Sequence, residues 1–352
     1  MKLIRTIDAE GAVLCHDISQ IIKGVTKDAV FRKGHIVTKE DIPVLLSVGK
    51  DQLYVWEQEE GILHENDAAE VLCGMCLGEH MARSQVKEGK IEITAKQDGL
   101  LKVHDKGLKA VNGFGEMMIA SRHGDFAVKK GDKLAGTRII PLVIREDKME
   151  SARRKAMEAS GGRPFLELKP FVHKKVGIVT TGNEVFYGRI QDTFTPVIQQ
   201  KLAEFDTEVI DHVTWNDDDK KVTATILNMI EKGADVVVCT GGMSVDPDDK
   251  TPLAIKNTGA RIVSYGAPML PGAMFLLAYY EVQEEGHERT VAVMGLPGCV
   301  MYAKRTIFDL VLPRVMADDE VFAEELAALG QGGLCLNCET CTFPNCGFGK
   351  GR

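Results

Sequence analysis

Residues 235–252, DVVVCTGGMSVDPDDKTP, are the stretch from which the fold of this chain can be worked out. An unbroken apolar run from Val236 to Cys239 predicts a strand that is buried on both faces, as in a parallel sheet covered by helices. Gly241 and Gly242 end this strand, and Pro252 stands where the first turn of a helix favours proline. A strand, a glycine turn and a helix in this order predict an α/β unit.

The same succession of strand, turn and helix extends in both directions from this stretch. Further strands are predicted over 175–181, 207–213 and 290–294, and helices over 195–205, 217–232, 251–258 and 300–312. Alternation of this kind places helices on both faces of a parallel sheet. We therefore expect a parallel-sheet α/β domain over residues 171–318.

The residues upstream lack this alternation. Helices are predicted over 38–49, 66–86 and 146–159, whereas 89–143 contains short apolar runs separated by glycine-containing turns. We expect an α+β module over residues 1–88, a small and mainly β module over 89–145, and a helix with a linker over 146–170. After the α/β domain we expect a cysteine-rich tail over 319–352.

Composition excludes several classes of protein. The 352 residues carry a formal net charge of −8, which disfavours general binding to nucleic acid or to an anionic membrane surface. The longest fully apolar run, residues 273–280, is too short to span a membrane, and the first ten residues do not resemble a signal peptide. We therefore expect a cytoplasmic protein with no nucleic-acid or membrane partner.

Three of the predicted strands lead directly into glycine-rich turns, at 181–184, 240–244 and 295–298. Ligands of open α/β sheets bind outside the carboxyl ends of the strands, where glycine lets backbone N–H groups approach an anion. The turns predict a phosphate-bearing ligand, and the alternative is that they are ordinary strand-to-helix connections. The candidate binding residues are Thr181, Gly182, Asn183, Thr240, Gly241, Gly242, Met243, Ser244, Pro297, Gly298 and Cys299.

Carboxylates accompany two of the turns. Glu184 ends the first turn, and Asp246, Asp248 and Asp249 follow the second. Carboxylates beside a phosphate indicate a hard divalent cation between them, and Mg²⁺ is the usual one. The alternative is that Asp248 and Asp249 only charge the N-terminal side of the helix that begins at Thr251. The acidic run 217–219 is more typical of a helix start than of a ligand site.

The turns TGNE (181–184), TGGMSVDPDDKTP (240–252) and GLPG (295–298) resemble the signature loops of the molybdopterin-binding domain family, which includes molybdopterin adenylyltransferases and molybdotransferases. Residues 11–17 and 42–55 more faintly resemble parts of the molybdotransferase's additional domains. The resemblance implies insertion of molybdate, or tungstate, into adenylylated molybdopterin with Mg²⁺ and release of AMP. It implies active-site roles for Glu184, Asp217 and Asp249, with Glu184 and Asp249 binding the cation, and a loop role for Pro297. A homodimer and a molybdoenzyme client are implied as well.

The chain also departs from the family pattern. Asn183 stands where an aspartate is usual, Cys299-Val300 replaces Asn-Pro, and an N-terminal Ser-Ala-Met-Asp-Gly-Tyr stretch is absent. Two other functions therefore stay open. One is a non-catalytic pterin carrier or sensor, and the other is a nucleotide pyrophosphatase, because residues 241–251 also resemble the N-terminal domain of competence-damage proteins. Cys299 lies near a predicted helix start, which is expected to lower its pKa.

Four of the nine cysteines lie in the last eighteen residues, at positions 335, 338, 341 and 346. Clustered thiolates in a chain expected in a reducing compartment indicate metal binding rather than disulfides. The spacing of Cys335, Cys338, Cys341 and Cys346 favours a [4Fe–4S] cluster over Zn²⁺. The tail has few apolar residues, so we expect the metal to supply its folding energy; the alternative is a flexible tail with reactive thiols.

Cysteines elsewhere are predicted to be structural. Cys73, Cys76 and His80 share one face of the predicted helix 66–86, where buried packing is the more common role than metal binding. Cys239 lies within the central predicted strand and is assigned to the core.

Overall fold

The computed structural model describes residues 2–22, 26–55, 60–244, 246, 249–284 and 287–351. The chain divides into two compact units. The first contains residues 1–96, 103–122 and 130–167, and the second contains residues 97–102, 123–129 and 168–352. The boundaries expected from the sequence for five successive segments stay predictions.

Short strands dominate the chain up to residue 170. The elements are β1 (Lys2–Arg5), β2 (Ile18–Ile22), β3 (Thr26–Phe31), α1 (Asp41–Ser47), β4 (Gln52–Val55), β5 (Ile62–His64), α2 (Glu65–Gly74), β6 (Met81–Arg83), β7 (Lys90–Ala95), β8 (Gly99–Val103), α3 (Asp105–Asn112), β9 (Met117–Ser121), β10 (Phe126–Val128), β11 (Lys133–Ile139), β12 (Val143–Arg145), α4 (Glu146–Ser160) and β13 (Leu166–Pro170). Strands β6, β7, β11 and β9 form a four-stranded antiparallel sheet in that order.

Two sequence predictions for this part are wrong. The helix predicted over 66–86 ends at Gly74, and His80 lies at a φ of 60°, which no α-helix accommodates. The stretch around Gly107 forms helix α3 rather than a turn, and the Phe165 ring lies where a Cβ of Gly107 would be. Cys73 and Cys76 are buried, so the prediction of structural packing for them is confirmed.

Strands and helices alternate after residue 170. The elements are β14 (Lys174–Thr181), α5 (Asn183–Phe186), α6 (Phe194–Leu202), β15 (Thr207–Trp215), α7 (Asp219–Glu231), β16 (Val236–Thr240), α8 (Thr251–Asn257), β17 (Arg261–Tyr265), β18 (Leu276–Glu284), β19 (His287–Leu296), α9 (Phe308–Met316) and α10 (Ala323–Ala328). A short 3₁₀ helix spans Gly298–Met301.

These strands form one six-stranded sheet in the order β15-β14-β16-β19-β18-β17. The first four strands are parallel, as predicted, whereas β18 and β17 extend the sheet with antiparallel pairing. These two strands were not predicted from the sequence. One helix was predicted over 300–312, where the structure has the 3₁₀ helix and, separately, α9.

The sheet is covered on both faces, which confirms the predicted fold class. Successive residues of β16 alternate between two apolar cores: Val236 and Val238 face one, and Val237 and Cys239 the other. Helices α6 and α9 cover the first core, and helices α7 and α8 cover the second. Within the described ranges, no helix is both long and apolar enough to cross a membrane.

Candidate functional site

The first two glycine turns are in direct contact. A Cβ on Gly241 would lie 2.0 Å from the carbonyl oxygen of Thr181, and φ at Gly241 is +82°. The Thr181 hydroxyl donates to the carbonyl oxygen of Thr240 at 3.2 Å and lies 3.0 Å from the hydroxyl of Thr251. Strand pairing places Thr180 of β14 opposite Thr240 of β16, so both turns leave the same edge of the sheet.

The second turn also contacts the end of β19, which leads into the third turn. A Cβ on Gly295 would lie 2.6 Å from the sulfur of Met243, which is buried. The Tyr265 hydroxyl donates to the carbonyl oxygen of Met243 at 3.0 Å. Thr240 lies opposite Leu296 in the sheet, so the third turn begins at the same edge as the other two.

The first turn is held by its neighbour β15. The N–H of Gly182 donates to the carbonyl oxygen of Trp215 at 3.2 Å, and the N–H of Asn183 donates to the Asp217 carboxylate at 3.2 Å. Asp217 therefore lies at the site, and helix α7 is capped instead by Asp218. Because both N–H groups are already bonded within the protein, this turn offers a ligand its side chains rather than these two donors.

The other two predicted acidic residues differ in their surroundings. The Glu184 carboxylate folds over Gly182, where a Cβ would lie 3.0 Å from Oε1, and the side chain is exposed. The Asp249 carboxylate accepts the N–H of Asp246 at 3.3 Å within the second turn. Asp248 lies outside the described residues. Among the residues that are described, no three His, Cys, Asp or Glu side chains converge to hold a metal ion.

The third turn presents both buried and accessible residues. Pro297 is buried, Gly298 is exposed and Cys299 is half-buried at the start of the 3₁₀ helix. Burial raises the pKa of the Cys299 thiol, so the expectation that a helix start would lower it is wrong. A four-residue 3₁₀ helix has too small a dipole to outweigh desolvation. Ser244, in the second turn, is exposed, and Thr240 is buried.

An aromatic group beside the first turn was not anticipated from the sequence. The rings of Phe186 and Trp215 are stacked with centroids 6.1 Å apart, and Tyr187 meets Phe186 edge-on at 5.2 Å. Phe186 and Tyr187 are exposed. Their adjacency just after the turn was the available signal, but Trp215 joins them only through the pairing of β15 with β14.

The cysteine-rich tail is packed against the α/β unit. Phe348 is 4% exposed and belongs to the same core as Phe275 and Phe308, and Cys335 and Cys346 pack against that core. The expectation that the tail lacks the apolar residues to fold by burial is therefore wrong. Few aromatic side chains suffice, because each removes a large area from water.

The fold and the three joined turns place the candidate ligand site of this α/β unit at the carboxyl ends of parallel strands. Residues 177–317, which include the six-stranded sheet from Gly177 onward and all three turns, match the family described as "Probable molybdopterin binding domain". The match covers less than half of the chain, and it shows what this part of the chain is similar to. Residues 3–57 match a domain of unknown function.

Individual relatives cover different shares of the chain. A CinA-like protein of Mycobacterium tuberculosis is 36% identical over 80 residues, which are 23% of this chain and 19% of that protein. A molybdopterin adenylyltransferase of Pyrococcus furiosus is 29% identical over 137 residues, 37% of this chain and 80% of the enzyme. The tungsten cofactor synthesizing protein MoaB from P. furiosus has a solved structure, and its sequence is 22% identical to this chain. The structural alignment covers 42% of this chain and 89% of MoaB, with a TM-score of 0.31. The chain thus spans about a fifth of the CinA-like relatives.

Proposed function

We propose that the α/β unit binds molybdopterin, or its adenylylated form, with the ligand's phosphate at the three joined turns. The observation that carries this proposal is the contact of the Gly241 turn with Thr181 and with the end of β19. The contact brings three strand ends together into one surface with glycine backbone at its centre. Backbone N–H groups at such strand ends can approach a phosphate.

The activity that we propose for this site is insertion of molybdate, or tungstate, into adenylylated molybdopterin, with release of AMP. The two thiols of the pterin displace one oxygen of molybdate as water, and this water balances the one consumed when the phosphoanhydride is hydrolysed. The chain's own residues bind and orient: Asp217 fixes the first turn through the N–H of Asn183, and Pro297 shapes the third.

Mg²⁺ is proposed to enter with the ligand rather than to occupy a preformed protein site. In proteins it is commonly held by one or two carboxylates together with substrate phosphates. Glu184, which is exposed, and Asp249, which is half-buried, lie in two different turns and fit that role better than they fit a protein-only site. Its chemistry there would be to neutralise charge on the phosphoanhydride.

Two other activities and one binding role each have an observation in their favour. The P. furiosus adenylyltransferase aligns over 80% of its length, which favours adenylyl transfer to molybdopterin. The CinA-like match favours a nucleotide pyrophosphatase. The replacement of Asn-Pro by Cys299-Val300 favours a carrier or sensor without catalysis. A homodimer, a molybdoenzyme client and a cytoplasmic location stay predictions.

One set of incubations with the full chain separates these functions. Adenylylated molybdopterin, molybdate and Mg²⁺ should yield AMP and pterin-bound molybdenum in equal amounts if the proposal is correct. Pyrophosphate formed from ATP and molybdopterin would identify an adenylyltransferase instead. Hydrolysis of a free dinucleotide would identify a pyrophosphatase. Saturable pterin binding with no product would identify a carrier, and no pterin binding would refute the proposal altogether.

A further inference from the structure

The four cysteines of the tail share one cavity. The cavity has a volume of about 520 Å³ and lies between the tail and residues 302–305 of the α/β unit. Its lining includes all four cysteines of the tail motif, Cys335, Cys338, Cys341 and Cys346. Sequence spacing alone could not show that the four cysteines line a common space, because the segment has no regular secondary structure.

Both ends of the cysteine segment are anchored. The N–H of Cys335 donates to the carbonyl oxygen of Leu270 at 2.8 Å, and the N–H of Leu270 donates to the carbonyl oxygen of Gly333 at 2.8 Å. At the other end, buried Phe348 lies two residues after Cys346, and the N–H of Gly349 donates to the carbonyl oxygen of Gly332 at 3.0 Å. The first and fourth cysteines therefore hold their places without a metal.

The middle of the segment is held by a cation. Cys338 and Cys341 are exposed, and the ammonium group of Lys304 donates to the carbonyl oxygens of Cys338 at 3.1 Å and Glu339 at 2.6 Å. Arg305 also lines the cavity. Positive charge beside the four cysteines would offset the negative charge of a metal–thiolate centre.

The lining also includes the apolar residues Pro271, Leu334 and Phe348. Apolar surroundings and nearby positive charge are among the features that tune iron–sulfur clusters.

The two candidate metal centres differ in the space that they need. Zinc draws four sulfurs to about 2.3 Å from one point. In a cubane cluster each thiolate binds a different iron, so the sulfurs stand around a core that occupies space. The four cysteines line a cavity of about 520 Å³, which has room for such a core, although no three metal-ligating side chains of the described residues form a preformed single-ion site. We propose that Cys335, Cys338, Cys341 and Cys346 hold a [4Fe–4S] cluster in this cavity.

The position of the cavity also connects it to the ligand turns. Residues 302–305 line it and follow directly on the 3₁₀ helix Gly298–Met301, which begins at the third turn. The N–H of Ala303 donates to the carbonyl oxygen of Cys299 at 2.8 Å. A cluster here would lie one short segment away from the third turn, whatever reaction the turns support.

The test uses the full chain, purified anaerobically and reconstituted with ferrous iron and sulfide. We expect about four irons and about four sulfides per chain, with broad absorbance near 400 nm. Cys338→Ala and Cys341→Ala should each lower the iron content severalfold and remove the absorbance. Both side chains are exposed, so these variants should keep the circular dichroism of the parent.

Cys299→Ala is the matched control, because it removes a thiol outside the cavity and should keep the iron content unchanged. Lys304→Gln should keep the cluster but shorten its lifetime in air, since the segment over Cys338 is then less firmly held. One tightly bound zinc per chain with no absorbance, or four freely titrating thiols after reconstitution, would overturn the proposal. Equal iron loss in the Cys299→Ala variant would overturn it as well, since the iron would then not be specific to the tail.

Discussion

Replacing Gly241 by alanine tests the contact on which the ligand site depends. The new Cβ would stand 2.0 Å from the carbonyl oxygen of Thr181 and 2.9 Å from its hydroxyl, both on the neighbouring strand end. A backbone carbonyl at the end of a central strand cannot move aside as a flexible side chain can. The φ of +82° adds strain of its own, because alanine rarely adopts that conformation.

Two control variants separate these effects. Gly188 has a φ of +67°, and a methyl group added there would meet nothing within 4 Å, so Gly188→Ala reports left-handed strain alone, about 1–2 kcal/mol. Gly298 has the same open space without a left-handed φ, so Gly298→Ala should change the free energy of unfolding by less than about 0.5 kcal/mol. Gly241→Ala combines strain with overlap and should cost about 2–5 kcal/mol.

The assay is urea unfolding followed by tryptophan fluorescence. The chain has two tryptophans, and Trp56→Phe leaves Trp215 as the single reporter within the α/β unit. We expect the fall in the unfolding midpoint to be smallest for Gly298→Ala, larger for Gly188→Ala and largest for Gly241→Ala. Pterin binding should be weakened at least tenfold in Gly241→Ala and stay unchanged in Gly188→Ala. If Gly241→Ala is no less stable than Gly188→Ala, the two turns do not touch as described, and the binding proposal loses its main support.

Three further predictions concern single side chains. Asp249→Asn should weaken Mg²⁺-dependent binding of adenylylated molybdopterin about tenfold in calorimetry. Asp246→Asn makes the same charge change in the same turn and should not weaken it. Equal effects of the two variants would refute the assignment of Asp249 to the Mg²⁺ site. Burial raises the pKa of Cys299, so its alkylation by iodoacetamide should be slow at pH 7 and rise about tenfold per pH unit. Cys239, with its pKa raised to about 12, should stay unmodified. Equal alkylation rates at the two cysteines would contradict this prediction. Burial opposes the charge of Asp319, but Lys102, Lys169 and Arg314 outweigh it and lower its pKa to about 2. The ionised Asp319 thus contributes about 2–3 kcal/mol to the free energy of unfolding above pH 4, and this contribution is lost as the pH falls through 2. The difference in the free energy of unfolding between the parent and Asp319→Asn should therefore shrink over that range.

Much of the α/β unit was predictable because its signals are local. Continuous apolar runs such as 236–239 identify strands buried on both faces, and glycine at 241–242 marks where such a strand must turn. The parallel strands and the helices between them were predicted within a few residues. Strand β18 was not predicted because the apolar run 273–280, in which it begins, has no period that tells a strand from a buried helix.

In the cysteine-rich tail, too, local sequence signals and long-range contacts led to different expectations. Spacing alone indicated a metal-binding segment, but composition led to the wrong expectation that only a metal could order it. One aromatic side chain, Phe348, inserts into the core formed by distant strands and helices. No count of apolar residues within the tail could reveal that partner, because the core belongs to residues far away in the sequence.

The sequence by itself determined the class of fold, the three turns and the residue types available at each. Only the tertiary structure decided how these parts meet: that Gly241 rests on Thr181, that Asp217 binds the N–H of Asn183 instead of capping α7, and that the four cysteines of the tail line one cavity with residues 302–305. The physical reason is range. Strand, turn and helix preferences act over a few neighbouring residues, whereas these contacts join segments that are far apart in the sequence and meet only in the folded chain.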